Sequence, residues 1–510
     1  MSARLRYRLG TLLYGLPLYG ATLGGRPPIA LAGGPADPWP GNPVNALALI
    51  EGKATADDAF AWLKDLAVSG DERARNVARA LIEGWLETHA HWSAKAWHPA
   101  VLGERLYRIA ADGDFIMGGL DDPLRPRLLE AMARQARHLR RALPGDVVGR
   151  PLLRAIGGLI AWNLAAGDEE GLAEGLFHLD RQLASQIHPD GVHESRSPGE
   201  QFRLIRDLVD LRAWFLALRR PVPESLQVAV DRAAPMLRFF RHGDGGLALF
   251  NASREEEPSQ IALALTLSGS RAKPMNGAPH GGFQRLAAGK TVLLVDCGVP
   301  VDGWPAHAGT LSFEMSVGKA RLVGNLGAAD EGEESWQTAL RATAAHSTLI
   351  AGDTNSSDID PGGRIGRKPI SVTTSRDEQE GAIWLDMSHD GYLKPFGLIH
   401  RRRLHLDAEG GRLRGEDTLT GPAGTAIAVR FHLHPSVHAL PQQEGGGVLL
   451  KLEDGQGWRF RAQDIRPVLE PSLYRGRPGE PRRSQQIVLS GVTLDRATSI
   501  KWGFDRLGGR

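Results

Sequence analysis

The period of the hydrophobic pattern changes once along this chain, and no other feature narrows its fold as far. From about residue 46 to 240, apolar residues recur three and four positions apart; in 71–89, Val77, Leu81, Trp85 and Leu86 fall on one stripe. That spacing is the mark of an amphipathic helix. Comparable segments cover 125–143, 151–166, 170–187, 199–219 and 223–240. Breaks such as Asp121-Asp122-Pro123, Pro144-Gly145, Pro189-Asp190-Gly191 and Pro221-Val222-Pro223 separate them. Connections this short make successive helices antiparallel neighbours.

Beyond about residue 275 the period falls to two. Leu311, Phe313 and Met315 alternate with Ser312 and Glu314, and Ile427, Val429, Phe431 and Leu433 alternate again, as strands with one buried face do. Gly318-Lys319 and Glu409-Gly410-Gly411 read as hairpin turns. The chain of 510 residues exceeds one ordinary core. Helices first and strands second therefore predict a multidomain α+β protein. The expected division is an irregular, Gly- and Pro-rich lead-in over 1–45, a helical domain over 46–255, a linker over 256–275 and an antiparallel β-sandwich over 276–510.

Charge and cysteine content exclude several classes of function. The 61 basic and 59 acidic residues leave +2, which gives no global pull toward nucleic acid or membrane. Local clusters such as Arg401-Arg402-Arg403 can still meet an acidic substrate. The single cysteine, Cys297, rules out an internal disulfide and any multi-thiolate metal site. It sits in an apolar run and reads as a buried, inert thiol. Arg4, Arg6 and Arg8 precede an apolar stretch that Gly10, Gly15, Pro17 and Gly20 interrupt, so an uncleaved terminus is expected. A cytoplasmic location is the default reading and the cell envelope or periplasm the alternative. No apolar run is long enough to predict a membrane span.

Four polar clusters carry candidate chemistry. The first, Asp190-Gly191-Val192-His193-Glu194-Ser195-Arg196-Ser197-Pro198, brings an imidazole, a carboxylate and a guanidinium to the start of a helix. A helix N-terminus favours anions and an arginine fork fits a carboxylate; the bland reading is a loop capped by Ser197 with Pro198 in the first turn. The second is Arg241-His242-Gly243-Asp244-Gly245-Gly246 with Asn251, a turn-forming loop. The third combines His307, Asn325 and His346, a possible metal set weakened by its neutral third member. The fourth places His389 and Tyr392 close to His400 and the arginine run, where positive charge would lower a phenol's pKa. Trp62, Trp85, Trp92, Trp97, Trp162 and Trp214 lie in the helical part, each readable as core or as a sugar-stacking ring.

In this order, after a helical half, the clusters resemble the heparinase II/III-like family of polysaccharide lyases. The matching stretches are 190–198, 307–316, 345–349 and 388–404, and the likeness spans roughly residues 60–510. The resemblance implies an incomplete (α/α) toroid followed by an antiparallel β-sandwich. It also implies elimination next to a uronate, with no organic cofactor. The sequence departs from the family at named places. Glu200 stands where the family has its tyrosine, and Arg150-Pro151 where it has an asparagine–histidine pair. Pro305 replaces the first histidine of its HxHxD, Gly309 the acid, and Asn325 the aspartate of zinc-bearing relatives. Zinc is accordingly expected to be weak or absent.

Three readings follow. The first is a lyase with a rebuilt site acting on an acidic polysaccharide. It would use His193 or Tyr392 as base with His389 beside it, and Arg196, Arg150 or Asn251 as carboxylate clamp, with Glu200, Arg241 and His242 contacting substrate. The second is a non-catalytic glycan-binding or cell-envelope protein. The third is a glycoside hydrolase with Glu194 and Glu200 as paired acids.

Overall fold

The computed structural model describes residues 3–508 apart from 17, 90, 118–120, 304, 331, 361–363 and 443–445. The chain forms two compact units, Met1–Gln186 with Arg206–Val230, and Ile187–Ile205 with Asp231–Arg510.

The first unit holds the incomplete (α/α) toroid. Its long helices are Glu72–His89, Pro99–Ile116, Leu124–Ala142, Arg150–Ala166 and Glu169–Gln186. Pro99 and Pro151 sit in first turns, where a missing N–H costs nothing. Gly167 closes Arg150–Ala166 at φ +70°. Pro99–Ile116 is absent from the periodic segments because Arg105 and Arg108 interrupt its apolar stripe. Both are buried. Arg105 is satisfied by Gln135 Oε1 at 2.6 Å, Ala96 O at 2.6 Å and Asp58 O at 2.7 Å, as a charge out of water must be. This helix packs on Arg150–Ala166 through small residues: a Cβ on Gly158 would lie 1.8 Å from Gly103 O. Trp62, Trp85, Trp97, Trp162 and Trp214 are buried in packing, and Trp92 is half-buried.

Two stretches expected to be irregular contain helix. The lead-in carries Ala3–Tyr14 and a 3₁₀ turn, Tyr19–Leu23; residues 24–42 are irregular, as their Gly and Pro content predicts. The expected linker carries Pro258–Ser268, started by Pro258 and stopped by Gly269 at φ +73°. Among the described residues no helix is long and apolar enough to cross a membrane.

The second unit is a sandwich of two antiparallel sheets. One runs, in spatial order, Gly277–Ala278, Phe283–Ala288, Thr291–Asp296, Phe313–Val317, Ala320–Gly324, Ala426–Leu433, Arg482–Val492 and Val468–Tyr474, with Leu349–Ala351 also paired to Ala426–Leu433. The other runs His438–Pro441, Val448–Lys451, Gly457–Ala462, Arg496–Leu507, Arg412–Gly421, Ile399–Leu406, Ala382–His389 and Val372–Gln379. The period-two residues line the space between them: Phe313, Met315, Val429 and Phe431 from one sheet meet Leu385, Leu404, Trp502 and Phe504 from the other. The Phe313 and Trp502 rings stack at 5.7 Å. The predicted turns fall in place, with Gly318 at φ +56° and Gly410 at φ +65°, left-handed values that glycine adopts without strain.

Candidate functional site

The first cluster is held in the sheet-bearing unit by its own backbone geometry. Arg196 takes φ +56°, which turns its side chain inward. Its guanidinium donates to Gly281 O at 2.8 Å, Val299 O at 3.0 Å and Gly282 O at 3.3 Å, and pairs with buried Asp296. It lies 4.8 Å over the Phe283 ring. The expected carboxylate clamp is therefore committed to a protein carboxylate and three carbonyls. His193 is buried; its Nδ1 contacts Ser195 Oγ at 2.7 Å and its backbone N–H donates to Gln201 Oε1 at 2.7 Å. Asn251, at φ +49°, bridges Arg196 O (2.9 Å) and the His307 N–H (3.2 Å).

The second and third clusters share one buried carboxylate. Glu314 Oε1 accepts from Leu249 N at 3.0 Å, Asn325 N at 3.1 Å and Asn325 Nδ2 at 3.0 Å, while Oε2 faces His242 Nε2 at 2.9 Å. Burial lowers the His242 pKa, so the neutral ring donates there and its Nδ1 accepts from Ser316 Oγ at 2.9 Å. Arg241 donates to Gly245 O at 3.0 Å, closing its turn.

His307 and His346 form a relay. Ala252 N–H donates to His307 Nε2 at 3.0 Å, His307 Nδ1 meets His346 Nε2 at 3.0 Å, and His346 Nδ1 meets Ala342 O at 2.8 Å. Burial holds His307 well below the usual imidazole range and pushes His346 down to about 4. This donor set does not fit zinc, since all four ring nitrogens are used internally and Asn325 Oδ1 accepts from Ser347 N at 3.0 Å. Gly309, where the resemblance implies an acid, has no room for a side chain: a Cβ would lie 2.7 Å from the His346 ring. Among the described residues no three His, Cys, Asp or Glu side chains are grouped as a metal site.

The fourth cluster lies in the sandwich core. Tyr392 is 0% exposed and donates to Leu349 O at 3.0 Å, and burial raises its pKa instead of lowering it. The arginine run alternates in and out, so Arg402 alone points inward, to Asp417 at 2.7 Å and 3.0 Å. His389 Nε2 meets His400 Nδ1 at 3.2 Å, and His400 Nε2 meets Asp417 Oδ1 at 2.8 Å. This chain of bonds ends on a carboxylate, not on solvent.

An open feature lies elsewhere. A cavity of about 440 Å³ is lined by Ser197, Glu200, Arg203, Arg254, Pro305 and Asp330, among others. Helix Pro198–Ala217 supplies Glu200 and, one turn on, Arg203. Arg203 contacts Glu200 at 3.2 Å and Glu256 at 3.2 Å, and Arg254 contacts Asp330 at 2.6 Å. Glu194 is not among the lining residues, so the cavity does not join the two acids of the hydrolase reading. Arg203, Arg254 and Asp330 escaped the sequence reading. Arg203 was within reach of it, being three residues from Glu200; Asp330 meets Arg254 only through the fold. In the helical unit, Arg150 contacts Asp207 at 2.8 Å beside Arg154, which spans Asp207 and Glu104.

Over nearly its whole length the chain is similar to the FtsZ-localized protein C of Caulobacter vibrioides (strain NA1000 / CB15N), with 31% identity covering 94% of this chain and 91% of that protein. Residues 270–503 match the family described as Heparinase II/III-like, C-terminal. The chain belongs to the heparinase II/III-like family. Solved structures agree on the fold. A heparinase III matches with a TM-score of 0.70 at 15% identity, over 91% of this chain and 84% of that one. The heparan sulfate lyase HepC from Pedobacter heparinus matches with 0.68 at 15%, over 96% and 87%. In this heparinase II/III-like protein, Glu200 and Pro305, where the sequence resemblance implies a tyrosine and a histidine, line the same cavity.

Proposed function

We propose that this protein is a non-catalytic member of its lyase family, one that keeps a saccharide-sized cavity and lacks the groups for elimination. The observation that carries the reading is the lining itself. Glu200 and Pro305, where the family resemblance implies a tyrosine and a histidine, offer no phenol or imidazole to the cavity, and both arginines of the lining are paired with protein carboxylates. Elimination needs a base within reach of the C5 proton and a cation on the uronate. A carboxylate at Glu200 brings negative charge to the cavity and opposes a uronate. The named relative supports a role in which this chain, too, localises with FtsZ.

Two measurements on one sample test this. Uronate polymers, heparan sulfate and chondroitin sulfate among them, are incubated with the protein and followed by the ultraviolet absorbance of an unsaturated uronate; oligosaccharide binding is followed by calorimetry. Binding without product is expected. Product formation abolished by Glu200→Gln or His193→Ala would instead establish a lyase with a rebuilt site.

A further inference from the structure

The outer face of the second sheet carries a feature unrelated to the cavity. Across four neighbouring strand pairs, one row of outward positions reads Trp384, His405, Arg414, Gly503, Arg461. At the ordinary spacing of strands the row is about 19 Å long. The next row reads Asp386, Arg403, Glu416, Lys501. Apart from Asp386, together they line a depression of about 550 Å³. Gly503 makes its floor, since a Cβ there would lie 2.5 Å from Arg414 Nη1.

Two observations point to a ligand. Trp384 is 47% exposed on a face rich in charged groups, and it is backed by the His405 ring with centroids 4.1 Å apart. A large ring left half in water on a rigid strand offers a flat apolar platform with a polar edge. The charges around it are unevenly matched. Arg403 is paired with Glu416, Arg414 with Asp505 and Arg401 with Asp386. Arg461 and Lys501, both exposed, have no acidic partner among the described residues.

We propose that this face binds an acidic oligosaccharide, with one sugar ring stacked on Trp384 and the carboxylate or sulfate groups of sugars further along the row held by Arg461 and Lys501. A row this long suits several linked sugars. A nucleic acid would need cations along its whole backbone, whereas Arg401, Arg403 and Arg414 on this face are already paired with acids. The site is independent of the reading given for the Glu200 cavity.

Calorimetry on the full chain with three tetrasaccharides tests the proposal: hyaluronan (carboxylates only), heparin (sulfates also) and neutral chitin. Either acidic probe is expected to bind and the neutral one to bind at least about tenfold more weakly. Trp384→Ala and the double variant Arg461→Glu with Lys501→Glu should each weaken the acidic probe about tenfold or more. Circular dichroism should be unchanged, because all three side chains are exposed. A preference between hyaluronan and heparin tells carboxylate from sulfate. The proposal is overturned if no acidic probe binds, if Trp384→Ala leaves binding intact, or if a single-stranded oligonucleotide binds more tightly through the same residues. Binding lost in Arg203→Ala and kept in Trp384→Ala would move the glycan to the cavity, sinking this site and leaving the proposed function standing.

Discussion

His307 Nδ1 and His346 Nε2 lie 3.0 Å apart with both rings buried. Ala252 N–H occupies His307 Nε2 and Ala342 O takes the His346 Nδ1 proton, which fixes one tautomer for each ring. The place at which the family resemblance implies metal is thus a closed path of hydrogen bonds between neutral groups. The same holds at His389, whose bonds run through His400 to Asp417. Histidines that look reactive in the sequence serve here as internal connectors between loops and strands.

Zinc is therefore expected not to be retained after dialysis against a mild chelator. Asn325→Asp should not create a site. Asn325 Nδ2 donates to Glu314 Oε1 at 3.0 Å, and an aspartate would set two carboxylates against each other in the core. The expected result is a loss of about 1–3 kcal/mol in stability, read as a lower melting temperature that added zinc does not restore. Stoichiometric zinc in the wild type, or rescue of the variant by zinc, would contradict this.

The buried imidazoles also set the acid limit of the fold. His346 is pushed down to about 4 and His432 to about 3, each from 6.5, and burial lowers His242, His307, His389 and His400 as well. A base whose folded pKa lies below its unfolded value binds more protons when unfolded. Its contribution is present above pH 6.5 and is lost as the pH falls toward the folded value. Each such group adds up to about 1.4 kcal/mol per pH unit to the slope. Urea midpoints should hold above pH 6.5 and fall steeply below it. A flat profile from pH 7 to pH 5 would refute the buried neutral assignment.

Asp417 is the residue on which the sandwich core can least afford a change. It accepts from Arg402 at 2.7 and 3.0 Å, His400 at 2.8 Å and Trp502 Nε1 at 2.8 Å, with no exposed side chain among the first three. These donors hold its carboxyl well below the usual range. Asp417→Asn leaves the Arg402 cation buried without its counter-charge, which costs about 3–5 kcal/mol. Chemical denaturation should register that loss. A change under about 1 kcal/mol, the range of an exposed pair, would show the network to be hydrated.

Much of this was legible in advance, and the parts that were not have physical causes. The change of period located helices and strands, because burial of one face dictates both patterns. Pro99–Ile116 was missed since two of its buried residues are arginines, and Val372–Gln379 since most of that strand is exposed and shows no apolar alternation. The run Arg401-Arg402-Arg403 reads as one basic patch until strand pleating sends the middle residue inward. Glu200 was found through the family resemblance, which implies a tyrosine two residues after Ser197-Pro198. Its cavity partners Arg254 and Asp330 were not, because nothing local in the sequence links residues that far apart.

Tyr392 gives the sharpest separation between a catalytic and a structural account of the fourth cluster's chemistry. Its hydroxyl is buried and donates to Leu349 O at 3.0 Å, joining the turn after Ala382–His389 to the short strand Leu349–Ala351 of the other sheet. Burial raises its pKa, which removes it as a base at neutral pH. Tyr392→Phe keeps the ring and leaves Leu349 O without that donor, at an expected cost of about 1–3 kcal/mol. Thermal melting should therefore drop by several degrees while oligosaccharide affinity stays within about twofold, because the fold is retained and the hydroxyl touches no open surface. A proton-transfer role makes the opposite forecast: stability nearly unchanged and any turnover down by about a hundredfold or more. Running both assays on the same preparation decides between them.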